Sequence, residues 1–292
     1  MYLQNNIGLH YGYWLQDWDG NLLKIIDKIN KIGFTAIEID SDVMLARSSK
    51  KRDKISKKIE KNNLSLNFCI GMKGKHDVSS KNPKVRKRGI EHVKEIIKMV
   101  NSMGGDTISG VCYGEWSPDF KKAKNKEDYL KRSIESVAEI VSFAERYNIN
   151  YNLEPVNRYE QFMINTCREA LDYIEEIDSP NLNVLLDTFH MNIEEDSMGK
   201  AIRKAGDRLG HLHIGENNRK PPGEANTIDW EEVFKALKEI NYKGDIVMEP
   251  FINYGGEIGF DTRLWRNMDE ESRSLEDRIT DSLNFIKDRL NK

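Results

Sequence analysis

Short apolar runs alternate with longer amphipathic segments along the whole chain, and this alternation restricts the possible folds most strongly. The runs have the length of strands and recur every roughly 30 to 40 residues, while the segments between them have helical periodicity. The strand candidates are residues 7–14, 35–40, 64–70, 106–113, 150–155, 182–187, 209–214 and 245–250. Because no Pro-, Gly- or Ser-rich linker interrupts them, they predict an α/β fold, a (β/α)₈ TIM barrel, spanning residues 1–292 as a single domain. An open doubly wound sheet is the alternative.

Two of the helical segments show their boundaries and their buried faces. One begins at Pro83, which suits a first helical turn, and ends at the glycine pair 104–105. Its apolar face carries Ile90, Val93, Ile97 and Val100, and that of the second helix carries Leu130, Ile134, Val137, Val141 and Ala144. A third segment, the basic stretch 50–61, is predicted to be a solvated helix face rather than a nucleic-acid contact.

Charge and cysteine usage exclude several classes of protein. A net charge of -3 and a pI near 6.1 provide no general attraction to nucleic acid or to an anionic membrane surface. No stretch approaches the roughly 18 apolar residues of a membrane span, and residues 1–10 lack a secretory pattern. Cys69, Cys112 and Cys167 form no CxxC pair, which fits a reducing compartment. We therefore expect a cytoplasmic protein with neither nucleic-acid nor membrane partners.

Ionisable side chains stand at the ends of the last four strand candidates. In a (β/α)₈ barrel the carboxyl ends of the strands form the active-site face. The residues at these ends are Glu154, Asp187, His213 and Glu249. Three carboxylates and an imidazole would repel one another without a cation, so we expect one divalent ion at this place. An oxygen-rich set with one nitrogen and no sulfur favours Mn²⁺, Co²⁺ or Mg²⁺ over structural zinc.

Other ionisable residues receive simpler interpretations. His211 lies one layer deeper than the strand-end histidine and is expected to be a hydrogen-bonded interior residue rather than a ligand. Glu38 and Asp40 share a strand face, and we expect them to form structural hydrogen bonds in the lower barrel. His76 and His92 are expected to be ordinary surface histidines.

Several segments around the strand-end residues resemble signature segments of the D-tagatose/D-psicose 3-epimerase family. They are LEPVNRYE at 153–160, DTFHMNIEE at 187–195, HLHIGENNR at 211–219 and MEPF at 248–251. The run around Asp187 and His190 is the most specific of them. The resemblance covers nearly the whole chain, from Gly8 through WSPDF at 116–120 to the glycine pair at 255–256.

The resemblance implies a xylose-isomerase-like barrel that holds Mn²⁺ or a similar ion and acts on small ketoses. The residues that match the family's metal ligands are Glu154, Asp187, His213 and Glu249, and those that match its contacts to the sugar near O1, O2 and O3 are Glu160, His190 and Arg219. Because the family commonly forms dimers or tetramers, a homodimer or homotetramer is expected.

The expected reaction is the metal-dependent interconversion of free ketohexoses at C3, as between D-tagatose and D-sorbose or D-fructose and D-psicose. Glu154 and Glu249 come from non-adjacent strands, so they can flank C3 and alternate as base and acid through an enediolate. Arg219 suits the substrate oxygens that gain charge. His190 is expected to donate to O1 or O2.

The remaining substrate contacts bear on which ketose is used. Trp14 and Trp116 are candidates for stacking on the apolar face of the sugar. His10 stands where relatives usually carry Tyr or Phe, near the C4–C6 end of the substrate, and Glu115 is also unusual. The preferred ketose therefore stays open. Phosphate capture by the glycine pair 255–256 is a minority interpretation.

Three rival functions fit parts of the same pattern. An aldose–ketose isomerase on this barrel would move a proton between C1 and C2. An apurinic endonuclease would need more histidines and a basic DNA-binding face, which the sequence does not show. A non-catalytic, metal-stabilised sugar-binding protein would bind ketoses without turnover.

Overall fold

The computed structural model describes residues 4–268 and 273–291, and its strands close into a parallel barrel. The strands are β1 Ile7–His10, β2 Ala36–Asp40, β3 Ser65–Gly71, β4 Thr107–Val111, β5 Asn150–Leu153, β6 Leu182–Asp187, β7 Leu209–Ile214 and β8 Ile246–Met248. They follow chain order around the barrel, and β8 pairs with β1. The predicted (β/α)₈ architecture is confirmed, and the open doubly wound sheet is excluded.

Helices follow the strands and cover the outside of the barrel. They are α1 Leu22–Ile32, α2 Ser41–Leu45, α3 Ser49–Lys61, α4 Pro83–Ser102, α5 Lys126–Glu145, α6 Cys167–Glu175, α7 Thr188–Glu194, α8 Met198–Ala205, α9 Trp230–Glu239, α10 Gly256–Asp261 and α11 Leu275–Leu290. The two helices with predicted apolar faces are α4 and α5. The basic stretch forms α3, which buries Ile55 and Ile59 and exposes most of its lysines, as predicted. No helix within the described ranges is long and apolar enough to cross a bilayer.

Helix α1 shows how the sequence attaches a helix to the barrel. The side chain of Asn21 accepts the N–H of Lys24 at the start of α1, and Gly33 ends the helix in the left-handed conformation with φ of 100°. Between these caps, Leu22, Ile25, Ile26 and Ile29 are buried. Burying each such aliphatic side chain contributes roughly 1.5–3 kcal/mol, so the apolar stripe holds the helix on the sheet.

Five strands are shorter than predicted, namely β1, β2, β4, β5 and β8, and the early ends of β1, β5 and β8 affect predicted site residues. β1 ends at His10, because the imidazole Nδ1 accepts the Gly12 N–H at 3.2 Å and the chain turns into a 3₁₀ helix over Tyr11–Trp14. β5 and β8 end one residue before Glu154 and Glu249. The backbone N–H groups of both glutamates still donate to neighbouring strands, to the Gly110 carbonyl at 3.0 Å and the Ile214 carbonyl at 3.1 Å. These backbone hydrogen bonds therefore still fix the positions of Glu154 and Glu249 at the ends of their strands.

Gly110 in β4 sits at a point where a side chain has no room. Its φ is +123°, and a Cβ there would lie 2.4 Å from the Ile70 carbonyl oxygen. We expect Gly110→Ala to lower the free energy of unfolding by roughly 1–3 kcal/mol from backbone strain and by about as much again from overpacking. The matched control is Gly104→Ala, where φ is +81° but no atom lies within 4 Å of the added Cβ. Urea denaturation measures the free energy of unfolding of both variants. An equal loss of stability in the two would contradict the steric explanation.

Candidate active site

The carboxyl ends of the strands surround a cavity of about 1050 Å³. Most of the predicted site residues line it. They are His10, Trp116, Glu154, Glu160, His190, His213, Arg219 and Glu249. Asp187 lies in the wall beside Glu154 and His213, with its ligand atom within 4.8 Å of theirs. The structure thus brings together nine of the residues that the sequence analysis selected.

The strand-end carboxylates and His213 form a tight cluster in this cavity. His213 Nδ1 lies 4.0 Å from Glu154 Oε1 and 3.7 Å from Glu249 Oε1. Glu154 Oε1 and His213 Nδ1 are buried and have no hydrogen-bond partner among the described residues. Burial raises the pKa of Glu154 well above its usual range, and the neighbouring carboxylates of Glu249 and Asp187 add to the rise. Unpartnered buried oxygen and nitrogen donors that point at one another fit a divalent cation.

Glu38 holds His213 from below. Its carboxylate lies 2.8 Å from His213 Nε2 through one oxygen and 2.8 Å from His211 Nε2 through the other. Because Nε2 faces Glu38, Nδ1 is the nitrogen of His213 that faces the cluster, and a carboxylate beside the other ring nitrogen is the usual arrangement of a metal-ligating histidine. Burial lowers the pKa of His213, but the carboxylates of Glu38 and Glu249 outweigh it and raise the pKa well above its usual range. The predictions of an interior, hydrogen-bonded His211 and of a structural role for Glu38 are confirmed.

Arg219 neutralises part of the cluster. Its Nη1 donates to Asp187 Oδ2 at 3.0 Å and to Glu249 Oε2 at 2.7 Å. The guanidinium carbon lies 3.8 Å from the centre of the Phe189 ring, so the cation is held by stacking as well as by charge. A cation fixed between the carboxylates and the cavity is placed to bind an anionic oxygen of a ligand.

His190 and Glu160 are oriented by Asn157, a residue to which the sequence analysis gave no role. His190 Nδ1 accepts the Asn157 backbone N–H at 3.1 Å, so we assign its proton to Nε2, which faces Glu154 at 3.6 Å. Burial lowers the pKa of His190 and favours this neutral form. The Asn157 side chain donates to Glu160 at 3.0 Å, and Trp116 Nε1 donates to the same carboxylate at 2.9 Å. No residue spacing in the sequence predicts that Asn157 links His190 to Glu160, although Asn157 lies inside the 153–160 segment.

Trp14 is not brought to the cavity. It lies in the 3₁₀ helix after β1, where its ring faces Lys28 Nζ at 5.1 Å. The predicted strand 7–14 ends at His10, and Trp14 is absent from the cavity lining, so stacking of Trp14 on the substrate stays a prediction that the structure does not support. Trp18, later in the same connection, lines the cavity instead and meets the His10 ring edge-on at 6.1 Å.

His76 and His92 are not the independent surface residues that the sequence suggested. Their rings stack at 3.7 Å between centroids, and His92 Nε2 lies 2.5 Å from Asp42 Oδ1. Both are half-buried. Contact between the β3–α4 connection and α4 explains the difference, since it brings together residues sixteen positions apart.

The chain is a (β/α)₈ barrel with carboxylates, an imidazole and an arginine clustered at the carboxyl ends of its strands, the face on which enzymes of this fold carry their active sites. The family model described as "Xylose isomerase-like TIM barrel" matches residues 26–289. Two of the similar curated proteins are ketose epimerases. The D-psicose 3-epimerase of Ruminiclostridium cellulolyticum is 38% identical over 261 residues, covering 89% of each chain. The L-ribulose 3-epimerase of Methylomonas sp. is 32% identical over 294 residues, covering 97% of this chain and 96% of the relative.

A solved structure agrees with these sequence relatives. The crystal structure of D-psicose 3-epimerase with D-tagatose from Clostridium cellulolyticum H10 superposes with a TM-score of 0.95 at 35% identity. The match covers 98% of this chain and all of that one. The chain therefore belongs to the xylose isomerase-like TIM-barrel family and, within it, to the ketose 3-epimerases, which are isomerases. The resemblance that the sequence segments indicated is confirmed.

Proposed function

We propose that this chain is a metal-dependent epimerase that interconverts free ketohexoses at C3, of the D-tagatose/D-sorbose and D-fructose/D-psicose type, through an enediolate. The observation that carries the proposal is the pair of strand-end carboxylates, Glu154 and Glu249, which approach His213 from β5 and from β8 in one cavity. The names of the relatives, D-psicose 3-epimerase and L-ribulose 3-epimerase, support ketoses as the substrate class.

In the proposed reaction these glutamates exchange a proton with C3 of the ketose. One carboxylate removes the proton next to the C2 carbonyl, and the other returns a proton to the opposite face. Burial and the neighbouring carboxylates raise the pKa of Glu154 above that of an exposed carboxyl group, which is the direction that proton donation requires. Arg219 and the Nε2–H of His190 bind the oxygens on which negative charge develops. Glu160, fixed by Trp116 and Asn157, accepts a hydrogen bond from a substrate hydroxyl.

The donor set proposed to hold a divalent ion consists of Glu154, Asp187, His213 and Glu249. The unpartnered Glu154 Oε1 and His213 Nδ1 support it, as does the support of His213 by Glu38. Oxygen donors with a single nitrogen favour Mn²⁺, with Co²⁺ or Mg²⁺ as alternatives. A bound divalent ion would supply Lewis-acid stabilisation of the negative charge on the substrate oxygens.

Isotope exchange tests the reaction. The protein is stripped with EDTA, restored with Mn²⁺ and incubated in D₂O with D-tagatose, D-fructose, D-psicose and L-ribulose separately. We expect metal-dependent C3 epimers labelled at C3, detected by chromatography with mass spectrometry. Label at C1 with an aldose product would instead identify an aldose–ketose isomerase. Tight ketose binding without exchange at any carbon would identify a sugar-binding protein.

Glu38→Gln tests the support of His213. We expect metal affinity to fall roughly 10- to 100-fold, because the carboxylate that orients the imidazole is replaced by a neutral amide. Mn²⁺ titration followed by electron paramagnetic resonance measures the affinity. The matched control is Asp245→Asn at the opposite end of the barrel, where the carboxylate accepts from Ser65 and Asn67. That variant is expected to bind Mn²⁺ like the unsubstituted protein, and equal affinities in all three proteins would contradict the role of Glu38.

We also propose a cytoplasmic homodimer or homotetramer with one catalytic domain over residues 1–292, whose partner is a small ketose rather than nucleic acid or membrane. The unpaired pattern of cysteines supports a reducing compartment. The resemblance to a family that forms dimers and tetramers supports the assembly. Light scattering on the purified protein measures its molar mass and thereby the number of subunits in the assembly.

A further inference from the structure

The wall of the cavity opposite the proposed metal ligands carries polar side chains that the reaction at C3 does not use. It is formed by the ends of β1, β2 and β3, which contribute His10, Asp40 and Cys69. Asp40 and Cys69 are partners in the register of β2 and β3, and His10 Nε2 lies 3.4 Å from Cys69 Sγ. Since β5 to β8 supply the proposed ligands, β2 and β3 lie on the other side of the barrel mouth, and β1 connects that side to β8. We call the wall formed by His10, Asp40 and Cys69 the distal wall.

Asp40 is the residue on the distal wall with unused capacity to accept hydrogen bonds. It lies two residues beyond Glu38 on the same face of β2, about 6.6 Å nearer the mouth of the barrel. Its Oδ1 accepts the Val43 N–H at 2.7 Å at the start of α2, and no described side chain donates to it. Burial raises the pKa of Asp40 to about 6, and the nearby Asp42 adds to the rise while the Val43 N–H and Lys73 oppose it.

Two of the neighbouring charged groups are already engaged, while Lys73 lines the same cavity and acts on Asp40 through its charge without a hydrogen bond among the described residues. Asp42 is bound by His92 at 2.5 Å. Arg47 donates to Asp19 at 2.7 Å and to the Gly20 carbonyl at 3.0 Å. Asp40 itself lies at the mouth of the barrel, so its predicted place in the lower barrel is wrong, because β2 ends at this residue and its side chain caps α2. A ligand hydroxyl is a further donor that this carboxylate can accept.

The proposed reaction directs one end of the substrate to this wall. Proton transfer at C3 requires C2 and C3 to lie beside Glu154 and Glu249. With O1 to O3 held by Glu160, His190 and Arg219, as the family resemblance implies, C4 to C6 extend away from these groups. The cavity, at about 1050 Å³, is at the upper limit for small-molecule sites and extends well past the reaction centre. The distal hydroxyl groups of a ketohexose thus face the side on which Asp40 stands.

We propose that Asp40 is a specificity-determining residue whose carboxylate accepts a hydrogen bond from the terminal hydroxyl of the ketose. This inference rests on the proposed function and narrows the substrate class to free ketoses with a hydroxyl at that end. A sugar that lacks the hydroxyl leaves this partly buried carboxylate without that donor, so the site disfavours the analogue. A phosphate at the same carbon places like charges together.

The test compares kcat/KM for D-fructose, 6-deoxy-D-fructose and D-fructose 6-phosphate in the Mn²⁺-loaded enzyme and in Asp40→Asn. Asn retains a cap oxygen for the Val43 N–H, so α2 is preserved. We expect the enzyme to prefer D-fructose over the deoxy sugar by roughly tenfold or more, as for a hydrogen bond to a charged group. The preference should fall to about threefold or less in Asp40→Asn, with the change in KM rather than kcat. The matched control, Asp42→Asn, should keep the full preference.

Dissociation constants for the same three sugars, from the fluorescence of Trp18 and Trp116 in the cavity, give a second measurement that needs no turnover. If no ketose is epimerised, the proposed function fails, and the ratio of dissociation constants still decides the role of Asp40. An unchanged ratio in Asp40→Asn, by either measurement, overturns the inference. So does a preference of the enzyme for the 6-phosphate.

Discussion

Glu154→Gln and Glu249→Gln are each expected to lower kcat for C3 epimerisation by roughly 10⁴-fold or more, while part of the ketose binding remains. Each amide keeps the size of the side chain but can neither take nor return the C3 proton, and acid–base catalysis alone contributes up to about 10⁴-fold. Each change also removes a negative charge from the proposed metal site, which adds to the loss. Chromatographic rates with D-fructose and D-tagatose, and titration calorimetry with the same sugars, separate turnover from binding.

A carboxylate at the other end of the same strand is the control. Asp245 precedes β8, whereas Glu249 follows it, and Asp245 accepts from Asn6, Ser65 and Asn67 at the bottom of the barrel. Substitutions at this end affect stability rather than chemistry, so Asp245→Asn should retain kcat within about twofold. Normal turnover in either glutamate variant would refute the assignment of the acid–base pair.

Removal of divalent metal is expected to abolish epimerisation and to lower the thermal unfolding midpoint. The cluster of Glu154, Asp187 and Glu249 contains more negative charge than Arg219 and His213 balance locally, and a bound cation relieves the repulsion. At a metal concentration of 100 times Kd, binding to the folded state alone adds about 2.7 kcal/mol. For a chain of this size that corresponds to a rise of roughly 5 °C.

Calorimetric scans of EDTA-treated protein, with and without Mn²⁺, measure this shift, and elemental analysis verifies the metal content. Asp187→Asn is expected to lose most of the shift, because a carboxylate donor to the ion is replaced by an amide. Asp245→Asn is expected to keep it. Full activity in protein shown to be free of metal would contradict the metal-dependent mechanism.

The barrel and most of the candidate active site could be predicted from the sequence, because both follow from patterns among residues that are close together in the chain. The alternation of apolar runs and amphipathic segments is enough to indicate a parallel barrel. A parallel barrel places all strand ends on one face, so Glu154, Asp187, His213 and Glu249 converge there without any knowledge of side-chain packing. The 187–195 segment then identified the family that the comparisons show.

The features that escaped prediction depend on local turns or on contacts between distant parts of the chain. The predicted strand over residues 7–14 was too long, because a hydrogen bond to His10 turns the chain into a 3₁₀ helix that contains Trp14. The bond between Glu38 and His211 joins residues 173 positions apart across the interior, and periodicity carries no information at that range. Asn157 orients His190 through its backbone N–H, a group that every residue except proline offers.

The division of the barrel mouth between β5–β8 and β1–β3 also separates two roles along the chain. Residues for the proposed proton transfer are encoded in the second half, and the residues of the distal wall in the first half. Under the proposed assignments, a substitution at the ends of β1 to β3 can therefore change the contacts on one side of the cavity while Glu154 and Glu249, which directly follow β5 and β8, keep their positions.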